Sequence, residues 1–63
     1  MRIKEIREAK GMTAAELAKA VHTTPVSISR YETGKRKPNI LKAAEIAKVL
    51  EVTVDELIGK KAG

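Results

Sequence analysis

The 63-residue chain has no Cys, no Trp and no Phe, and Tyr31 is its one aromatic residue. Without Cys, neither a disulfide framework nor a thiolate metal site can supplement the small core that a chain of this length buries. Stability must then come from packed helices and well-made helix ends, with dimerisation as an optional further source. Size argues against a large enzymatic cleft and for one domain. No run approaches the roughly 18 consecutive apolar residues of a membrane-spanning helix. Charged residues at positions 2, 4, 5, 7 and 8 break up the start of the chain, so no cleaved leader is read there. The expectation is a soluble protein of the cytoplasm, a compartment compatible with the lack of Cys.

Sites of chemistry are equally scarce. The single His22 has no second His, Cys or nearby acid at ligand spacing, so it reads as a turn residue and no metal is expected. Gly34 and Lys35 match the end of a phosphate-binding loop, but the Gly required five positions earlier is Ser29, and that motif fails. No nucleophile, base and acid fall into a catalytic arrangement. No catalytic residue, cofactor or small-molecule effector is assigned, and the chain is not read as an enzyme.

What is present is positive charge. Thirteen Lys and Arg against eight Asp and Glu give a net charge of +5, which favours a polyanionic partner such as nucleic acid. An anionic membrane surface is the rival, but it would require the basic residues to align along one helix, and they do not.

No segment alternates apolar and polar residues for long enough to suggest a strand, and Ala, Leu, Ile, Glu and Lys dominate, so the fold class is all-α. A first helix is predicted over residues 2–10, with Ile3 and Ile6 on one face and Gly11 ending it in a left-handed conformation. Arg7 lies four residues after Ile3 and points partly inward, where a guanidinium needs a carboxylate partner from elsewhere in the fold. Thr13 and Glu16 have the spacing of a capping box, so a second helix begins at Ala14, with Ala14, Leu17, Ala18 and Val21 as its apolar stripe.

After a break at residues 21–24, Thr24 as N-cap and Pro25 at the first helical position start a third helix that stops at Gly34. Ile28, Tyr31 and Glu32 share its inner side. Val26, Ser29, Arg30 and Thr33, at i, i+3, i+4 and i+7, form a stripe turned away from the core. Lys35, Arg36, Lys37 and Pro38 make a basic loop. Asn39 caps a fourth helix over residues 40–50, with Ile40, Ala43, Ala47 and Leu50 as its inward stripe. Thr53 and Glu56 form a second capping box, and in the short fifth helix Val54 and Leu57 are expected to close the core while Ile58 faces outward or a partner. Residues 1–58 are thus read as one domain and residues 59–63 as a flexible tail.

Two short helices joined by a tight turn, here within about residues 13–33, form a helix-turn-helix, in which the first helix presents the second to the major groove. Residues 2–58 resemble the phage-repressor and Cro-like helix-turn-helix domains of the Xre type. The resemblance rests on Ile6 and Arg7; Gly11, Met12 and Thr13; Glu16, Leu17 and Ala18; the run from Ile28 to Glu32; the run from Gly34 to Pro38; Ile46 and Ala47; and Val52 through Leu57. It implies a compact five-helix, lambda-repressor-like DNA-binding domain with an ion pair between Arg7 and Glu32. It further implies that Thr24, Pro25, Val26, Ser29 and Arg30 meet base edges or nearby phosphates. Thr13, Ala14, Thr33, Lys35, Arg36 and Lys37 fall where such domains contact the DNA backbone.

The chain departs from that pattern at four places. The family commonly has Gln where this chain has Ala14 and a polar or basic residue where it has Pro25. His22 and Glu51 stand where Gly often adopts positive φ, a conformation that His tolerates better than most residues and that should cost Glu51 about 1 kcal/mol. Loss of the Gln leaves the amides of a helix N-terminus as the local phosphate donors.

Arg30 is the residue best suited to read a base, because its two parallel donors match O6 and N7 of guanine. Val26 either joins the core or touches a thymine methyl group, and Ser29 and Thr33 bond to base, phosphate or water. The expected function is that of a sequence-specific transcriptional regulator, a homodimeric repressor on a partly palindromic operator in double-stranded DNA. Leu41, Val49 and Ile58 are candidates for the dimer surface. The competing readings are a protein-interaction module on the same fold and the DNA-binding half of an antitoxin.

Overall fold

The computed structural model describes residues 1–59; the expected tail lies, apart from Gly59, outside the described residues. Five helices follow one another: α1 (Ile3–Ala9), α2 (Ala14–Ala20), α3 (Pro25–Thr33), α4 (Ile40–Leu50) and α5 (Val54–Ile58). None of the described residues forms a strand, and no helix among them is long and apolar enough to cross a membrane.

Local chemistry explains where most of these helices start. The first amides of a helix have no partner within it, and here side chains supply one. Thr13 accepts from the Glu16 amide at 3.0 Å while the Glu16 carboxylate accepts from the Thr13 amide at 2.9 Å, closing the capping box of α2. Thr53 and Glu56 repeat that box at α5. Thr24 accepts from Ser27 N at 3.1 Å ahead of Pro25, and Asn39 Oδ1 accepts from Lys42 N at 2.7 Å. α1 has no side-chain cap and is one residue shorter at each end than its apolar pattern suggests. Its start is anchored differently: the Arg2 amide donates to the Leu57 carbonyl at 2.7 Å, tying the beginning of the chain to α5.

Ends are made by left-handed residues. Gly34 has a φ of 79° after α3, but after α2 and α4 the same region is taken by His22 (57°) and Glu51 (59°). A side chain in that conformation costs about 1 kcal/mol, which the fold absorbs at both positions.

Ile3, Leu17, Val21, Ile28, Ile46, Leu50 and Leu57 are fully buried, so every helix, together with the residue that ends α2, gives at least one large side chain to a single core. Ala18, Ala43 and Ala47 are buried between them, and their small size lets the backbones approach. α2 packs chiefly on α3, and α5 on α4.

Two expected core positions are not in the core. Ile40 is 86% exposed and Val54 40% exposed, although spacing alone puts each on the inner side of its helix. Both are the first residue of their helix, and that first turn overhangs the edge of the core. Ile46, absent from the predicted stripe, takes the inward place beside Ala43, Ala47 and Leu50.

Candidate nucleic-acid interface

The site is built on α3, and what faces inward determines what faces out. Ile28 and Tyr31 are buried beneath the helix. Glu32, also inward, accepts from Arg7 Nε at 2.9 Å, and the Arg7 guanidinium donates through Nη1 to the Met12 carbonyl at 2.9 Å. Both side chains of this pair are only 11% exposed. A buried guanidinium is tolerated only when its charge and donors are met, and here both are. The pair crosses from α1 to α3 and fixes the rotation of α3 about its own axis.

With that rotation set, Val26, Ser29, Arg30 and Thr33 lie exposed along the outer edge, and Thr24 and Pro25 are exposed at its start. Val26 is 59% exposed, so of its two readings the core one is ruled out. Arg30 makes no ion pair among the described residues. The Thr33 hydroxyl donates back to the carbonyls of Ser29 and Arg30 at 3.1 and 3.3 Å, so it must rotate away from its own helix to reach any acceptor outside it.

Lys35, Arg36 and Lys37 are all exposed. Their loop is not loose: the Arg36 amide donates to the Arg30 carbonyl at 3.2 Å, folding the basic segment back against the end of α3. From residue 17 to residue 44 the chain carries Lys19, Arg30, Lys35, Arg36, Lys37 and Lys42, with Glu32 as the one acid between them. Because Glu32 is turned in and paired with Arg7, the outer side of α3 and the loop after it bears cations without a compensating anion.

The start of α2 is less favourable to an anion. The Thr13 amide is engaged by Glu16, and its hydroxyl oxygen accepts from Glu16 N. The Glu16 carboxyl is held below its ordinary pKa, first by the bond from the Thr13 amide and then by the Thr13 hydroxyl, so it is charged at neutral pH. Ala14, beside it, offers only its backbone amide.

Tertiary reach also supplies what the sequence pattern did not reveal. The Lys42 ammonium, on α4, donates to the Val21 carbonyl at 2.6 Å, in the turn between α2 and α3. Leu41 and Ile58 are exposed, at 76% and 45%, while Val49 is half-buried at the edge of the core. Met1, Lys37, Pro38, Ile40, Ala43, Val54 and Ile58 line a shallow, mostly apolar groove between the start of α4 and α5.

A family model described as helix-turn-helix matches residues 3–57. The chain is similar to the transcriptional activator BcrR of Enterococcus faecalis, 33% identical over 57 residues that make up 90% of this chain and 28% of that protein. It is also similar to the cryptic phage CTXphi transcriptional repressor RstR of Vibrio cholerae serotype O1, 35% identical over 66 residues, 98% of this chain and 59% of the relative. A helix-turn-helix-type transcriptional regulator of Archaeoglobus fulgidus is 39% identical over 56 residues, covering 89% of this chain and 80% of its own length. The chain thus spans less than two thirds of the first two relatives.

Proposed function

The chain belongs to the helix-turn-helix family, and from that premise we propose that it is a sequence-specific regulator of transcription that lays α3 in the major groove of double-stranded DNA. One observation carries this reading. The outer edge of α3 is free and polar around Val26, continues into three exposed cations, and has its one acid withdrawn into a buried pair.

A major groove about 12 Å wide admits such a helix. Arg30 faces guanine with two donors, and Val26 offers an apolar surface to a thymine methyl. Ser29 is small enough to let the helix approach and to bond to a base edge, with Thr24 and Pro25 at the entering end of the helix. Lys35, Arg36 and Lys37 bind phosphates and supply strength rather than sequence choice. Thr13, the Ala14 amide and, after rotation, Thr33 add backbone contacts. Glu16 opposes a phosphate at the start of α2, so the basic loop carries most of the electrostatic attraction.

We further propose a homodimeric repressor of the cytoplasm on a partly palindromic operator, its two α3 helices about 34 Å apart. The relatives include both a repressor and an activator by name. Repression is favoured because a domain seated on DNA excludes other proteins without any additional surface. For the dimer, the exposed Ile40, Leu41 and Ile58 and the groove beside them form the contact. The mostly apolar lining of that groove and the exposed side chains beside it offer a two-fold mate a self-complementary face.

The test is selection of bound sites from random duplexes, followed by titration of the selected and a scrambled duplex at several salt concentrations. Tight, salt-sensitive binding to the selected site is expected. Arg30→Ala should cost about 1–3 kcal/mol on that site and relax preference at one base pair, whereas Lys35→Ala should weaken both duplexes alike. Absence of duplex binding even at low salt would overturn the reading and favour a protein-contact role for the exposed Val26.

A further inference from the structure

The turn that aims α3 contains an unusual combination. α2 ends in a Schellman arrangement, with the Thr23 amide donating to the Ala18 carbonyl at 2.8 Å and the His22 amide to the Lys19 carbonyl at 3.3 Å. That arrangement needs a left-handed residue, and here His22 occupies the position with a φ of 57°, a conformation that favours Gly. The carbonyl of Val21, two residues beyond Lys19, receives its bond from outside the motif: Lys42 Nζ at 2.6 Å, from a residue 21 positions later in the chain. Lys42 is itself steered by Glu45, one turn on, at 3.5 Å, and its side chain is only 22% exposed.

We propose that Lys42 is a positioning residue for DNA recognition, its ammonium locking the Val21 carbonyl and so holding the left-handed His22 turn that sets the direction of α3. The inference rests on the DNA-binding reading for its functional consequence, but its structural part stands apart from it. A cation at the end of α2 also meets the negative end of the helix dipole. Val21 is fully buried, so its backbone is held from one side by packing and from the other by Lys42. Thr24, which caps α3, follows three residues later, and a small rotation at residues 21–23 is carried directly into the placement of Val26 and Arg30. Unlike the Arg7 pair, which fixes rotation of α3 about its axis, this bond fixes the angle at which the helix leaves the turn.

The experiment compares Lys42→Met, Lys42→Arg and Lys48→Met with the parent protein. Lys48→Met removes one charge from an exposed position of the same helix and controls for the loss of charge alone. In the free protein, amide hydrogen exchange at Thr23 should accelerate by about tenfold in Lys42→Met, as expected for loss of a charged, part-buried hydrogen bond, with exchange in α1 unchanged. On DNA, affinity for the selected site should fall by about tenfold relative to Lys48→Met, while affinity for scrambled duplex matches that control. Lys42→Arg, which keeps a donor within reach, should restore both. Unchanged exchange at Thr23 in Lys42→Met would overturn the lock itself. Equal losses on selected and scrambled duplex would overturn its role in recognition. Should the parent protein bind no duplex at all, the DNA reading fails while the exchange measurement still decides whether the lock exists.

Discussion

Arg7 and Glu32 show how one buried contact can serve a surface. Removing one partner of such a pair leaves the other charged and desolvated, which generally costs more than the pair itself contributes. Glu32→Ala should therefore lower stability by about 3 kcal/mol, and at this chain length each kcal/mol moves the melting temperature by roughly 4–8 °C. Thermal melts followed by circular dichroism would show it, and an unchanged melting temperature would mean that the guanidinium finds water instead. Glu51 offers the opposite case. Its φ of 59° is strained for any side chain with a Cβ, and its ion pair with Lys10 is long, at 3.5 Å, and exposed. Exposed pairs of that kind contribute little, so Glu51→Gly should raise stability by about 0.5–1 kcal/mol, a gain that melts would register and whose absence would show that the pair matters more than the backbone.

At the level of the helix, caps decide more than propensity does. α2 and α5 are short enough that neither would hold as an isolated helix, and each begins with a reciprocal Thr and Glu box. Because the Glu16 carboxyl is held below its ordinary pKa, its contribution is complete above that ordinary value and is lost as the pH falls through the lowered one. The melting temperature of Glu16→Ala should thus lie below that of the parent protein near neutrality, and the two should converge on the acid side; a gap that stays constant there would remove the charge from the explanation. These starts, together with Pro25 and Gly34, were legible in the sequence because each depends on residues within one turn of one another. Ile40 and Val54 were misread for the complementary reason. Periodicity tells which side of a helix is apolar, but not how far along the helix the core extends, and both residues sit where it has already ended. Lys42 was invisible in the same way, since a long flexible side chain that reaches 21 residues back leaves no local pattern. Arg7 lay between these cases: its spacing from Ile3 showed that it needed an acid, while the choice of Glu32 came from the resemblance.

For the molecule as a whole, most of the large exposed apolar side chains lie away from α3, Val26 excepted. The cations of the proposed interface follow α3, and the exposed Ile40, Leu41, Val54 and Ile58 lie beyond the basic loop on α4 and α5. If those apolar residues seat a second copy, Ile40→Glu should shift the protein toward monomer in sedimentation without changing its melting temperature at monomeric concentrations, because Ile40 contributes almost nothing to the core. It should also weaken the selected site more than a half-site. A sedimentation profile identical to that of the parent protein would assign the dimer contact elsewhere or remove it.

The bond from the Arg2 amide to the Leu57 carbonyl brings the two extremities of the helical body together. A short peptide stitched across them would close the backbone into a ring. The ring could then be cut at another exposed bend, giving a permuted protein whose helices run in a different order around an undisturbed interior.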